Sequence, residues 1–226
     1  MGRPSDDRNP LMTDLLPTRD APFEPGHTGL LLVDMQRIWL DPSYSGHKAG
    51  GGPADEFYRV TRETTIPNCE VLIKAARAAG VEVLHTIIQS LTEDGRDRSL
   101  DHKITPIHLP KSDERALPIP SLMPEGDEIL LPKTSSGVFN STNIDYLLKN
   151  LGIKQLVVCG IMTDQCVDMA VRDAADRGYM VSVPADACFA ATNTRHSDAL
   201  RAFSGYCWES DTQTIAERFA HMGDKH

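Results

Sequence analysis

The chain has 226 residues, with 23 Lys and Arg against 32 Asp and Glu, a formal net charge of −9 and a pI near 5.3. So acidic a surface repels phosphate backbones and anionic bilayers, which sets nucleic-acid and membrane-surface roles aside. Hydrophobic residues at 40% and charged residues at 24% describe an ordinary globule, and no apolar run approaches the ~20 residues of a membrane helix.

Residues 1–27 are proline-rich, lack a helical period and read as an arm lying on the domain or on a neighbouring subunit. They carry arginines without a following hydrophobic stretch, so no secretory signal is expected. The five cysteines (Cys69, Cys159, Cys166, Cys188, Cys207) include no Cys-x-x-Cys pair. Neither a disulfide framework nor a zinc knuckle is indicated, and a reducing cytoplasm is the default.

From residue 28 the chain alternates. TGLLLVDM is an apolar run of strand length ending in an acid. Residues 35–66 read as a long loop, and a helix is predicted from Pro67-Asn68 to Gly80, with Val71, Leu72, Ala75, Ala76 and Ala79 at helical spacing. VEVLHTII is the second strand. The stretch 89–126 is polar and proline-containing, a length of connection that is usually functional or mobile. DEILLPK is the third strand, followed by a helix with Thr142 and Asp145 as a capping box and Gly152 as its stop. KQLVVCG is the fourth strand; a helix from about Asp164 carries Val167, Ala170, Val171 and Ala174 and stops at Gly178. YMVSVPAD, a helix over Asn193–Phe203, a sixth strand in Gly205–Trp208 and a last helix over Thr212–Ala220 complete the pattern.

Strands alternating with helices predict a doubly wound, three-layer α/β/α domain over residues 28–226, with a mostly parallel six-stranded sheet. Ligands of such folds bind beyond the carboxyl ends of the strands. Asp34, Lys133 and Cys166 all fall there. Each has a plain alternative: a capping acid, a solvated lysine, a core cysteine. Cys166 stands in the first turn of a predicted helix, where free N–H groups and the macrodipole favour a thiolate. Together the three give a mechanism. Asp34 accepts the thiol proton, Cys166 attacks a carbonyl carbon, Lys133 stabilises the charged pair, and backbone N–H groups of Gly160–Cys166 hold the oxyanion.

DMQ after the first strand, LPKTSSGVFNSTNIDYLL and GIMTDQCVDMAVRDAADRGYMV, in that order, resemble the isochorismatase-like cysteine hydrolases, and the resemblance extends over residues 28–208. It implies the Rossmann-type fold of that family and an Asp34–Lys133–Cys166 triad. It also implies a cis peptide at Ile161–Met162, an oxyanion hole at the N–H groups of Met162 and Cys166, and a pocket lined by Gln36 and Phe139. Members commonly form homo-oligomers, so a dimer or tetramer is expected.

Isochorismatases proper lack the cysteine, so Cys166 argues for amide chemistry on a small linear, carbamoyl or ureido amide. Nicotinamidases bind a metal through an Asp-x-His motif that HTIIQSLTEDGRD does not contain, so no metal or other cofactor is expected. Gln89, Arg96, Arg98, Lys103, Lys111 and Arg115 could recognise a ureido group or carboxylate, or could belong to a charge-balanced, solvated loop. Trp39, Phe57 and Tyr58 could cover an apolar part of the substrate or pack a subunit interface. His85 reads as a satisfied interior histidine, and His102 and His108 as solvated loop residues. A nicotinamidase-like amidase, a non-catalytic ligand-binding member and a thiol redox sensor are the competing readings.

Overall fold

We describe residues 16–45 and 53–222 of a computed structural model of the chain. The strands are β1 (Thr28–Val33), β2 (Glu82–Ile88), β3 (Ile129–Lys133), β4 (Gln155–Ile161), β5 (Met180–Pro184), β6 (Cys188–Phe189) and β7 (Cys207–Ser210). Six form one path in the order β3-β2-β1-β4-β5-β7, with the two-residue β6 paired to β4. Every ladder between these strands is parallel. Every residue of β1 and of β4 is buried, which explains why both read as unbroken apolar runs. The chain winds outward from β1 toward β3 and then returns to lay β4 on the other side of β1. The β1–β4 seam is therefore the switch point beyond which such folds bind ligands.

Helices cover the sheet by their apolar stripes. In α2 (Ile66–Ala78) Cys69, Leu72, Ile73 and Ala76 are buried; in α4 (Asp168–Asp176) Ala170, Val171 and Ala174 are. α3 (Ile144–Asn150) buries Ile144 and Leu148, and α5 (Asn193–Phe203) buries Ala199, Leu200 and Phe203. α6 (Thr212–Ala220) is capped by Asp211, whose side chain accepts from the Thr214 N–H at 2.8 Å. Its Phe219 ring packs 5.2 Å from that of Phe23, and the Arg218 guanidinium donates to the Asp20 carbonyl. Residues 20–23 of the expected arm thus lie on their own chain; residues 1–15 of it lie outside the described residues.

Four expectations are corrected. The described parts of the 35–66 segment are not a loop: Arg37–Leu40, Pro42–Ser45 and α1 (Pro53–Val60) are helical, and a π turn at Thr61–Thr65 joins α1 to α2, while residues 46–52 lie outside the described residues. Pro67 is the second residue of α2 rather than its start signal. It lacks an N–H for the ladder, which opens into the π turn just before it. The Thr142–Asp145 capping box is not formed. The Thr142 hydroxyl accepts from the Ile144 N–H at 3.1 Å at the helix start and donates to the Val138 carbonyl at 2.7 Å, but Asp145 does not complete the box: it accepts from Lys149 and the Tyr179 hydroxyl. Finally, the 89–126 connection buries Leu109, Ala116, Ile119 and Leu122. It straps the end of β1 through Arg37 N–H to Leu117 O and Ile119 N–H to Met35 O.

Candidate active site

Asp34 follows β1 and has a left-handed backbone, φ 53°. Its Oδ1 accepts from the Thr86 hydroxyl at 2.9 Å, and its N–H donates to the Thr86 carbonyl at 3.1 Å. Thr86 pairs with Val33 in the β1–β2 ladder, so the parallel register itself delivers the hydroxyl that orients the carboxylate.

Lys133, the last residue of β3, is completely buried. Its Nζ lies 2.8 Å from Asp34 Oδ2, and donates to Cys166 Sγ at 3.3 Å and to the Ser135 carbonyl at 3.3 Å. Two hydrogen bonds and an ion pair to a facing carboxylate are what keep the ammonium inside the protein. Burial pulls its pKa down, but Asp34 and then Cys166 outweigh that, and the net shift is upward.

Cys166 sits in a π turn, Thr163–Val167, between β4 and α4. Burial and then the Asp34 carboxylate push its thiol up to about 12, against the pull of Lys133. The shift is upward, against the direction that the helix-start argument expects, because desolvation and a facing acid dominate. The Ile161–Met162 peptide that leads into the turn is cis, at the position the resemblance implies.

Asp34, Ile161, Met162 and Cys166 line a cavity of about 440 Å³, together with Ile38, Trp39, Phe57, Tyr58, Ile88, Ile107, Ser136 and Gln165. Trp39, Phe57 and Tyr58 are thus cavity walls. The three expected pocket residues are not among the lining groups. Gln36 is fully buried and spends its amide on the backbone, donating to Ile88 O and Ala116 O while Oε1 accepts from Ile88 N–H and Trp39 Nε1. It ties β1 to the 89–126 strap and holds Trp39 in place. Phe139 packs on Tyr179 and under Arg177. Gln89 donates to the Lys111 carbonyl at 3.5 Å.

The loop cations turn to their own segment: Arg96 to Asp94, Arg115 to Asp113, Arg98 to the Gly95 and Ile107 carbonyls, Lys103 to the Arg96 carbonyl. His85 is an interior residue, its Nε2 3.0 Å from Glu128 Oε2. His108 is exposed and meets the Glu93 carbonyl at 3.1 Å. His102 departs from its expected place: it is buried, with Nε2 3.3 Å from the Ser136 hydroxyl. Burial and then the Lys133 charge lower its pKa. Thr86, Ser135 and Ser136 were not singled out in the sequence, although a threonine inside the apolar run VLHTII is the kind of signal that could have found the first. Among the described residues no three His, Cys, Asp or Glu side chains converge as a metal site would need.

The family profile for the Isochorismatase domain matches residues 28–214. The chain belongs to the isochorismatase-like cysteine hydrolase family. Among its relatives is a ureidoacrylate amidohydrolase (RutB) of Rhizobium rhizogenes, 31% identical in an alignment 184 residues long that covers 73% of this chain and 72% of that protein. A streptothricin hydrolase of Streptomyces noursei is 33% identical over 161 residues, 70% of this chain; the match spans about half, 52%, of that relative. Solved family members share the fold. A cysteine hydrolase from Pseudomonas syringae pv. phaseolicola superposes with a TM-score of 0.78 at 23% identity, covering 91% of this chain and 98% of that one. The N-carbamoylsarcosine amidase of Thermoplasma acidophilum gives 0.65 at 22% identity, covering 82% and 96%. Among the described residues no helix is long and apolar enough to cross a membrane.

Proposed function

We propose that this isochorismatase-family chain is a cysteine-dependent amidohydrolase that cleaves the C–N bond of a small amide through a thioester. The observation that supports the reading is one ammonium shared by an acid and a thiol: Lys133 Nζ, 2.8 Å from Asp34 Oδ2 and 3.3 Å from Cys166 Sγ, with acid and thiol on the wall of the same cavity.

A thiol raised to about 12 is a poor nucleophile until its proton has somewhere to go. Asp34 takes that proton as Sγ bonds to the carbonyl carbon. Lys133 then faces the newly neutral acid and the sulfur without moving. The N–H groups of Met162 and Cys166 hold the developing oxyanion. Asp34 returns its proton to the nitrogen, the C–N bond breaks and an amine or ammonia departs. Water attacks the thioester with Asp34 as base, and the thiol is regenerated as the carboxylic acid leaves. No step calls for a metal.

The reading is tested by ammonia release from a panel of primary amides, ureido acids, biuret and nicotinamide, with and without chelator. Wild type is expected to release ammonia from at least one member and to show an acyl adduct on Cys166 by mass spectrometry after rapid quenching. Cys166→Ala is expected to do neither. Turnover that survives in Cys166→Ala, or that chelator abolishes, overturns the mechanism.

A further inference from the structure

The cavity wall is sorted by chemistry. Ile38, Trp39, Phe57, Tyr58, Ile88 and Ile107 give it a broad aromatic and branched-aliphatic face, and Ser136 and Gln165 add neutral polar groups. The one acidic side chain among the described lining residues is Asp34. Among the described residues no Lys or Arg lines the cavity. The buried ammonium of Lys133 is paired with Asp34 and donates to Cys166 and Ser135. The loop arginines and Lys103 are committed to carbonyls and acids of the 89–126 segment.

A carboxylate entering this space leaves water for an apolar wall, finds no cation among the described lining residues and meets Asp34. Each of those terms opposes binding. A branched or aromatic body entering the same space gains apolar contact at about 25 cal/mol per Å² buried.

We propose that the cavity admits an uncharged amide carrying a branched or aromatic apolar body, and excludes amides that carry a carboxylate, such as ureido acids. This deepens the amidohydrolase reading and rests on it for turnover, though not for binding. The relatives' substrates do not set it; the lining of this chain does.

Binding is measured by calorimetry on full-length Cys166→Ala, which holds a ligand without consuming it. The probes are phenylacetamide, isovaleramide and N-carbamoylglycine. Phenylacetamide and isovaleramide are expected to bind at least about tenfold more tightly than N-carbamoylglycine. Equal or tighter binding of N-carbamoylglycine, or no saturable binding of either neutral amide, overturns the proposal. Two wall variants sharpen the comparison, each checked for a native circular dichroism spectrum. Phe57→Ala should weaken phenylacetamide more than acetamide, and Ile107→Arg should shift the preference toward N-carbamoylglycine; a wall variant that leaves the preference unchanged counts against the assignment. Wild-type turnover separates the two layers. Ammonia released from N-carbamoylglycine in preference to the neutral amides would keep the amidohydrolase and sink the proposed substrate class. Tight binding of neutral amides without ammonia would do the reverse.

Discussion

Gly160 lies backbone to backbone against Val33: a Cβ at position 160 would sit 2.2 Å from the Val33 carbonyl oxygen. The two residues pair across the β1–β4 seam, one step before Asp34 and six before Cys166. Gly160 also has φ 117°, a region that side chains rarely enter. Gly160→Ala is therefore expected to cost at least about 2–3 kcal/mol, since the clash is with backbone and cannot be relieved by a rotamer change. Urea denaturation followed by fluorescence checks this. A loss below about 0.5 kcal/mol would mean that the strands part easily at the site.

Lys133 is the one cation holding Asp34 among the groups described above, and both side chains are essentially removed from solvent. Lys133→Met leaves an uncompensated carboxylate inside the protein, a change that typically costs about 3–5 kcal/mol. Adding Asp34→Asn removes that charge and keeps an acceptor for Thr86. The double variant is expected to recover most of the lost stability and none of the turnover. Thermal melts and ammonia assays on the two single variants and the double variant form the cycle. A double variant no more stable than Lys133→Met would argue that the pair is not coupled.

How far the sequence disclosed this site depended on what each residue type can signal. Asp34, Lys133 and Cys166 were legible because each ends or follows an apolar strand, and strand ends converge in a parallel sheet. The α2, α4 and α6 stripes were legible from spacing. α1 was not, because it lies between the glycine-rich GHKAGGGP and Pro67, both of which looked like breaks. Gln36 was expected in the pocket only through the family resemblance. Its partners, Ile88 and Ala116, lie 52 and 80 residues away, beyond what a local pattern encodes. His102 was misread for the same reason: polarity of the surrounding segment says nothing about the Ser136 hydroxyl that meets it across the fold.

Glu128 offers a test of the framework remote from the chemistry. Burial opposes its charge. Hydrogen bonds from Arg77, the Glu125 N–H and His85 override that penalty and hold the carboxyl down at about 2, against an ordinary value of 4.5. A carboxyl lowered on folding contributes stability that is complete above its unfolded value and is lost as pH falls through the folded one. Wild type should thus lose Tm from this group between about pH 4.5 and pH 2. Glu128→Gln should start from a lower Tm at pH 6 and show a shallower decline over that window. Parallel decline of the two proteins would assign the acid sensitivity to other carboxylates.

Cys166 gives the prediction that bears most directly on mechanism. Its thiol is raised to about 12 from an ordinary 9.0, first by burial and then by Asp34, while Lys133 pulls it down. The free protein should therefore carry a protonated Cys166 across neutral pH, and iodoacetamide labelling at this residue should climb with pH without a plateau below about pH 10. Removing the Asp34 charge takes away a term that raises the pKa and leaves the Lys133 term that lowers it. Asp34→Asn should accordingly be labelled faster than wild type at pH 8, with its profile displaced to lower pH, while its amide turnover falls by about two orders of magnitude or more for want of a proton acceptor. Peptide mapping by mass spectrometry distinguishes Cys166 from the four other cysteines, which are all buried. Rapid labelling of wild type with a plateau near pH 7 would show a preformed thiolate, and the role of Asp34 as the acceptor of the Cys166 proton would have to be given up.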